Sequence, residues 1–251
     1  MALNRIKFMN TYIDNVTLPE VIKYIEHSIY ARQTIQITPL NSDHIVKIEV
    51  NEYLKTICEN SDLNLVDGHR LIKIAKKYGT SIKEKICGSD LMPYLCHIAA
   101  EKGYSVFLLG AAEGVAQKAS NNLKKEYPNL KIAGYYSPPF GFESDPNEIA
   151  KINTILLESG ADILFVAFGV PKQEYFIYEN KDKYKIPVSI NVGGTIDFIA
   201  GEQKRAPKWI NKIGMEWLYR FIHSPKRLFK RYFIDDMKIF KLAKKYNPKN
   251  N

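Results

Sequence analysis

The sequence predicts an α/β protein: a Rossmann-like, largely parallel sheet with helices on both faces, followed by a basic helical appendage. Two observations lead to this fold class. Over residues 1–201, short apolar segments alternate with segments of helical periodicity, which is typical of βαβ units. From residue 202 onward, only helical patterns continue. We therefore divide the chain into an α/β domain at 1–201 and a C-terminal appendage at 202–251.

Short, mainly apolar segments are predicted to form the strands of the sheet. Each is bounded by glycine, proline or polar residues, which is the usual signal for a strand end. The predicted strands are TIQITP (34–39), LNLVDG (63–68), SVFLLG (105–110), KIAGYYS (131–137), DILFVAFG (162–169) and PVSINVGG (187–194).

Helical patterns fill the segments around these strands. Thr17 and Glu20 have the spacing of a capping box and open the first helix, which runs to residue 32. Asp145 is a predicted N-cap, and Pro146 follows it at the first helical position. The further predicted helices of the domain span 42–60, 69–79, 88–103, 111–128 and 145–160.

The net charge is concentrated at one end of the chain. Residues 201–251 contain 14 Lys and Arg against 4 Asp and Glu, whereas residues 1–200 contain 22 against 23. The domain is therefore nearly neutral, and the appendage carries the whole positive excess. This distribution predicts an anionic partner for the appendage: phosphate, anionic lipid or nucleic acid.

The appendage is predicted to form two amphipathic helices. Pro207 starts the first, and Ser224 with Pro225 has the pattern of an N-cap followed by a first-turn proline for the second. Aromatic and basic residues interleave in both helices. This mixture is typical of a solvated basic face with an aromatic core side, and it also suits a helix lying on a membrane surface. The apolar face of the appendage also predicts that the chain associates into a homo-oligomer when no membrane is present.

The composition excludes several other classes of protein. The three cysteines, Cys58, Cys87 and Cys96, form no zinc or disulfide pattern, so a reducing cytoplasm is the simplest setting. The first residues lack the apolar core of a signal peptide. No run approaches the roughly 20 apolar residues of a membrane span. The sequence also lacks a D-x-D motif and paired histidines, so we expect no metal and no cofactor.

Polar or glycine-rich turns follow five predicted strands, where a parallel sheet binds its ligands. In VDGHR, Asp67 is either a general base at a strand end or the N-cap of the next helix. Gly110 opens an incomplete dinucleotide-type turn, so a nicotinamide-dependent oxidoreductase is disfavoured. Gln173 in GVPKQE, and Gly193, Gly194 and Asp197 in NVGGTIDF, are candidate contacts to a sugar, phosphate or ribose, or else ordinary turn residues.

Taken together, these motifs resemble the WecG/TagA/CpsF glycosyltransferase family. The appendage contains R-A-P-x-W, G-x-E-W-x-Y-R and P-x-R-L, and the domain contains GSDLMP, GVPKQE, GGTIDF and the Asp-Gly of VDGHR, in the order typical of that family. The resemblance covers about residues 5–240. It implies a metal-independent, inverting transfer of N-acetylmannosamine from a UDP donor to N-acetylglucosamine on polyprenyl (undecaprenyl) diphosphate, in the synthesis of wall teichoic acid or a related surface polysaccharide.

The resemblance also implies roles for individual residues. Asp67 would be the general base, Thr38 and Asn41 would line the same crevice, and Gln173 would position the sugars. Gly193, Gly194 and Asp197 would lie near the nucleotide. The diphosphate would be bound from the appendage by Arg220, Arg227, Lys230 and Arg231.

The chain departs from the family pattern at a few positions. TPLN has one residue more than the family's usual T-x-N, which affects the role of Thr38 more than that of Asn41. Lys230 stands where the family has an arginine, so it keeps the charge but loses the bidentate geometry. DGHR lacks the small apolar residues that usually follow this Asp-Gly. Another UDP-sugar, such as UDP-ManNAcA or UDP-glucose, is the alternative donor.

The resemblance also implies where the enzyme works. A polyprenyl acceptor stays in the bilayer, so we expect the appendage to hold a cytoplasmic enzyme on the anionic inner face of a bacterial membrane. The competing interpretation of the appendage is a nucleic-acid-binding module, which its charge and aromatic residues also suit. It is disfavoured because the basic residues follow an enzyme-like crevice and match no nucleic-acid recognition motif. The resemblance implies no nucleic-acid partner.

Overall fold

The structure is a computed structural model that describes residues 4–207, 210, 215–223 and 225–248. For Arg227 and Arg231 it describes the backbone but not the side chains. The strands are β1 (Arg5–Phe8), β2 (Thr11–Asp14), β3 (Ile35–Leu40), β4 (Leu63–Val66), β5 (Ser105–Gly110), β6 (Lys131–Tyr136), β7 (Ile163–Ala167) and β8 (Val188–Asn191).

Within the described residues, strands β3 to β8 form one parallel sheet of six strands, in the order β4-β3-β8-β7-β5-β6. Each predicted strand is present. Because every pair is parallel, all six carboxyl ends lie at one edge of the sheet. The predicted fold class, a parallel α/β sheet with helices on its faces, is confirmed.

Helices connect the strands and flank the sheet. The domain contains α1 (Leu18–Ala31), α2 (Ser42–Ile48), α3 (Glu52–Asn60), α4 (His69–Lys77), α5 (Gly88–Lys102), α6 (Val115–Glu126), α7 (Pro146–Ser159), α8 (Lys172–Tyr184) and α9 (Thr195–Ala200). The caps predicted at Thr17 and Asp145 are present, whereas the cap predicted at Ser224 lies outside the described residues. The Glu20 carboxylate accepts from the Thr17 backbone N–H at 2.6 Å, and the Asp145 carboxylate accepts from the Asn147 N–H at 2.9 Å.

Alternate residues of the central strands pack on opposite faces of the sheet. In β5, Val106 and Leu108 belong to a core that includes α1, α5 and α6. Phe107 and Leu109 belong to a second core, with α7 and α8. A strand buried on both faces accounts for the continuous apolar run SVFLLG, because neither face needs a polar residue.

The segment predicted as one helix over 42–60 is two helices, α2 and α3. The break falls at Asn51, whose side chain accepts from the Leu54 backbone N–H at 2.9 Å and caps α3. An asparagine that caps a helix ends the preceding one, because its own backbone is extended. The change of direction lets α2 and α3 pack around the β3–β4 edge of the sheet.

The β1–β2 hairpin was not predicted, because each strand has only four residues. Arg5 holds it in place by donating to the Asp14 carboxylate at 2.8 Å and to the Ser61 carbonyl at 2.7 Å. The same carboxylate accepts from the Asn64 N–H at 2.7 Å, so the hairpin is attached to the end of the sheet at β4.

The described part of the appendage consists of α10 (Glu216–His223), α11 (Pro225–Phe229), a π-helical segment (Lys230–Asp235) and α12 (Lys238–Lys245). The second predicted helix is therefore not continuous: a π-helical segment and a short turn separate α11 from α12. Ile239 and Leu242 of α12 share a third core with Leu40, Val66 and residues of α2 and α4. The end of the chain thus packs on the domain, beside the carboxyl ends of β3 and β4.

Candidate active site

A cavity of about 1320 Å³ opens at the carboxyl ends of β3, β4, β7 and β8. Turns that follow these strands form its floor, and α10, the π-helical segment and α12 form its far wall. Of the predicted site residues, the structure brings the following to this cavity: Asn41, Asp67, Gln173, Gly193, Gly194, Asp197 and Arg220. The position agrees with the general rule for ligand sites in parallel α/β sheets.

Asp67 is half-buried at the end of β4. Its backbone N–H donates to the Leu40 carbonyl at 2.7 Å, which extends the β3–β4 pairing by one residue. The N-cap of α4 is Gly68, with φ of 114°, so Asp67 is not the capping residue. Among the described residues, no hydrogen-bond donor contacts the Asp67 carboxylate, which leaves it available to a ligand.

Burial, which is the largest cause, and the negative charge of Glu216 on α10 together raise the pKa of Asp67 to about 6. The positive charges of Lys85 and Arg220 oppose this shift. A carboxylate with a pKa of about 6 is mostly ionised at neutral pH and is a stronger base than an exposed aspartate. The position and pKa of Asp67 are those that a general base requires.

Lys85 reaches the same cavity from the segment before α5. Its Nζ lies 3.6 Å from the Asp90 carboxylate. Burial lowers the pKa of Lys85, but the acidic groups around it, Cys87, Asp90 and Asp67 among them, raise it overall. Lys85 therefore stays a cation beside Asp67.

The side chain of Asn41 caps the N-terminus of α2 and is oriented by hydrogen bonds from the backbone of that helix. Its Oδ1 accepts from the N–H groups of Asp43 at 3.0 Å and His44 at 3.3 Å. The carbonyl end of the amide is thereby committed to the helix. The Nδ2 group has no partner among the described residues and is the end available to an oxygen atom in the cavity.

A buried glutamate lies beneath the cavity floor. Oε1 of Glu174 accepts from His44 Nε2 at 3.0 Å, Gln173 Nε2 at 2.9 Å and Asn191 Nδ2 at 3.0 Å. The Glu174 side chain is fully buried, and its Oε2 has no hydrogen-bond partner in the described part of the chain. One carboxylate oxygen thus joins three cavity-lining residues that come from α2, α8 and β8.

Gln173 is held at both ends of its amide. Besides the bond to Glu174, its Oε1 accepts from the Gly169 backbone N–H at 3.2 Å. Thr38 lies below the cavity lining, fully buried, with its hydroxyl 3.1 Å from Ser61 Oγ and 3.4 Å from Asn191 Nδ2. Thr38 therefore contacts the site through Asn191, whereas Gln173 borders the cavity itself.

The glycine turn after β8 faces the appendage. A Cβ atom on Gly194 would lie 3.6 Å from Arg220 Nη2 and 3.7 Å from an Asp197 carboxylate oxygen. The Arg220 guanidinium carbon stands 5.1 Å from the centre of the Phe198 ring, within cation–π range. Arg220 on α10 thus contacts α9, and its positive charge lowers the pKa of Asp67.

Two predicted residues lie away from the cavity. Gly110 packs against β7, where a Cβ atom would come within 2.6 Å of the Ala167 carbonyl, and its φ of +109° also favours glycine. Lys230 is exposed in the π-helical segment and does not border the cavity. The predictions for Arg227 and Arg231 concern side chains outside the described residues.

Sequence reasoning missed His44, Lys85, Glu174, Asn191 and Glu216. Two of them had local signals: His44 follows Asn41 by one helical turn, and Glu174 follows Gln173 directly in GVPKQE. Asn191 and Glu216 are brought to the site by the fold alone.

The part of the chain that the structure describes contains no group of three His, Cys, Asp or Glu placed to hold a metal ion. Nor does any described helix combine the length and the apolar character that crossing a membrane requires.

Comparison with known proteins identifies relatives of this sequence. Residues 6–251 match the family described as Glycosyl transferase WecG/TagA/CpsF family. An N-acetylglucosaminyldiphosphoundecaprenol N-acetyl-beta-D-mannosaminyltransferase of Bacillus subtilis is 31% identical over 242 residues, covering 94% of this chain and 92% of the relative. The protein of the same name from Bacillus spizizenii is 32% identical over 177 residues, covering 70% of this chain and 66% of the relative.

Proposed function

Because this chain belongs to the WecG/TagA/CpsF glycosyltransferase family, we propose that it transfers N-acetylmannosamine from UDP to a polyprenyl-diphosphate-linked N-acetylglucosamine. The activity for which the two Bacillus relatives are named supports this choice of donor and acceptor. The product would enter wall teichoic acid or a related surface polysaccharide. The observation that carries the proposal is Asp67, a half-buried carboxylate with a raised pKa, bordered by cations in the main cavity.

The proposed reaction is a single displacement with inversion. A hydroxyl oxygen of the acceptor attacks the anomeric carbon of the donor sugar, and the bond from that carbon to the diphosphate oxygen breaks. The hydroxyl proton passes to the Asp67 carboxylate, and the electron pair leaves with UDP. A base of raised pKa accepts that proton more readily than an ordinary aspartate.

The remaining predicted residues receive roles that follow from chemistry. Asn41 offers an amide N–H to a sugar oxygen, and Gln173 stabilises the cavity wall beside it. Gly193, Gly194 and Asp197 would lie beside the nucleotide. The departing diphosphate needs positive charge, which Arg220, with Arg227 and Arg231, would supply without a metal ion. Lys230, which does not border the cavity, receives no such role.

We further propose that the appendage, residues 202–251, both completes the site and lies on an anionic membrane surface. Support for the first role comes from Glu216, Trp217 and Arg220, which border the cavity. Support for the second comes from large apolar residues that are exposed beside lysines: Ile222, Phe229, Phe233, Ile234, Met237 and Phe240. Without a membrane, the same surface would pair copies of the chain.

A transfer assay with purified protein tests the reaction. The acceptor is N-acetylglucosamine diphosphate on a short polyprenyl chain, and the donors are UDP-ManNAc, UDP-ManNAcA, UDP-glucose and UDP-GlcNAc. We expect a mass increase of one N-acetylhexosamine with UDP-ManNAc, unchanged by EDTA. Turnover with another donor only would replace the proposed sugar, and a loss of turnover in EDTA would contradict the metal-free mechanism.

A further inference from the structure

The cavity continues beyond Asp67 into a slot between α4 and α12. Its volume of about 1320 Å³ exceeds the roughly 300–1,000 Å³ typical of a pocket for one small ligand. We define the slot by the cavity-lining residues of these two elements and the turn before α12. They are Arg70, Lys73, Ile74, Lys77, Asp236, Phe240, Ala243, Lys244 and Asn247.

One wall of the slot is a cationic stripe on α4. Arg70, Lys73 and Lys77 are spaced by three and four residues, so they lie on the same face of the helix. Ile74 lies between them and is buried. The wall therefore combines an apolar base with a basic rim.

The opposite wall is α12, held in place independently of any ligand. Ile239 and Leu242 anchor it in the core, and the Tyr78 hydroxyl donates to the Ala243 carbonyl at 2.6 Å. Residues on its other face border the slot. The Arg70 guanidinium stands 5.6 Å from the centre of the Phe240 ring, so this cation and this ring meet across the slot.

The positive charge of the slot is only partly neutralised. Arg70 lies 3.8 Å from the carboxylate of Asp236, the one acidic member of the defined set. Lys73 and Lys77 are exposed and have no carboxylate within ion-pair distance among the described residues. Like charges one helical turn apart repel each other, so an anion between them would be stabilised.

We propose that this slot binds the diphosphate and the first isoprene units of the polyprenyl acceptor. The inference rests on the proposed function. Asp67, Arg70 and Lys73 border the same cavity, so an acceptor whose sugar contacts Asp67 would bring its diphosphate to Arg70 and Lys73. Ile74, Phe240 and Ala243 would contact the lipid, which leaves toward the exposed Met237 and Phe240. Donor and acceptor diphosphates would then have separate sets of cations, on the appendage and on α4.

The test compares KM values for the two substrates in the double variant Lys73→Gln/Lys77→Gln. Removing two charge-assisted contacts should raise the KM for the lipid-linked acceptor about tenfold, while the KM for the UDP-sugar changes less than about twofold. The matched control is Lys76→Gln, an exposed lysine of the same helix that does not border the slot. An unchanged acceptor KM, or an equal rise in both KM values, would overturn the proposal.

A second measurement separates this inference from the proposed reaction. Direct binding of a fluorescent polyprenyl diphosphate to the full chain requires no turnover. If wild-type protein binds the probe and the double variant binds it about tenfold more weakly, the slot stands even where no sugar transfer occurs. Weaker binding of the variant to phosphatidylglycerol vesicles, with unchanged binding of the probe, would instead assign the slot to a phospholipid headgroup and overturn the acceptor assignment.

Discussion

The α/β domain buries both apolar side chains and some ionisable ones, whereas the appendage exposes large apolar side chains. In the domain, His44 and Glu174 share a hydrogen bond although their side chains are only 2% and 0% exposed, and leucine and isoleucine fill the cores. In the appendage, Ile222 is 65% and Ile234 50% exposed, in a segment that also holds the whole excess of positive charge.

This difference in burial suggests different roles for the two regions: positioning of side chains in the domain, and binding to another surface in the appendage. A buried carboxylate with three donors fixes side chains in one arrangement, because any movement would leave a polar group unpaired in a dry environment. An exposed apolar surface beside lysines has the opposite property, since it gains stability only when something covers it. We therefore expect substitutions in the buried network of the domain to change the chemistry, and substitutions of the exposed apolar residues of the appendage to change attachment.

The largest effect is expected at Asp67. Asp67→Asn keeps the size of the side chain but removes the base, so kcat should fall at least about 1,000-fold, toward the upper range for loss of a general base. The free energy of unfolding should stay equal or rise slightly, because a partly buried charge is removed. UDP release from the donor and the lipid-linked acceptor, followed by chromatography, measures kcat. Turnover within tenfold of wild type would remove Asp67 as the base.

Glu174→Gln tests whether the buried network positions the site. The amide keeps one acceptor oxygen but loses the negative charge, so the hydrogen bonds from Asn191, Gln173 and His44 to that oxygen weaken. We expect kcat to fall by about tenfold to a hundredfold with little change in KM, and the free energy of unfolding to fall by about 1–3 kcal/mol.

A spectroscopic readout distinguishes positioning from general loss of stability in this variant. The ¹⁵N signals of His44 report which ring nitrogen carries a proton, and we expect them to shift in Glu174→Gln. The control is Glu179→Gln on the same helix, where the carboxylate accepts from the Tyr53 hydroxyl at 2.8 Å and is exposed. Identical kinetics and unchanged His44 signals in Glu174→Gln would show that the network has no role in catalysis.

The sequence predicted the sheet better than it predicted the site. Strands such as SVFLLG are recognisable because local periodicity and burial are encoded within a few residues. Asp67, Gln173 and the Gly193–Gly194 turn were found because turns at the carboxyl ends of parallel strands must meet, whereas Asn41 was found through the family resemblance.

The contacts that organise the site could not be predicted from local sequence patterns. His44 and Glu174 are 130 residues apart in the chain, and their pairing depends on how α2 and α8 pack beside β3. The π-helical segment after Phe229 similarly follows from tertiary packing, since Tyr232 is buried while its neighbour Phe233 is exposed. Helical periodicity alone predicted an uninterrupted helix there.

Attachment to a membrane should be sensitive to the appendage and insensitive to the domain. Replacing two exposed isoleucines, in Ile222→Ser/Ile234→Ser, removes about 2 kcal/mol or more of apolar transfer energy, so binding to phosphatidylglycerol vesicles should weaken at least about tenfold. The kcat with a water-soluble short-chain acceptor should change little.

Leu157→Ser is the matched control for this prediction, because Leu157 is 51% exposed but lies on α7 of the domain. Co-sedimentation with vesicles measures binding for all three proteins. Equal losses in the appendage variant and the Leu157 variant would mean that the appendage has no special role in attachment.

The smallest effect is expected where the two regions meet electrostatically, at Glu216. Activity should fall as the pH drops below about 6, because protonated Asp67 cannot accept a proton. The negative charge of Glu216 helps to raise that pKa, so Glu216→Gln should lower it and move the acidic limb of kcat/KM to lower pH. At pH 5.5 the variant should retain a severalfold larger share of its own pH 8 activity than wild type retains.

Glu202→Gln is the control, since that appendage carboxylate pairs with Lys118 outside the cavity. An acidic limb that stays in place in Glu216→Gln would show that burial alone sets the pKa of Asp67, and that the appendage contributes attachment without tuning the base.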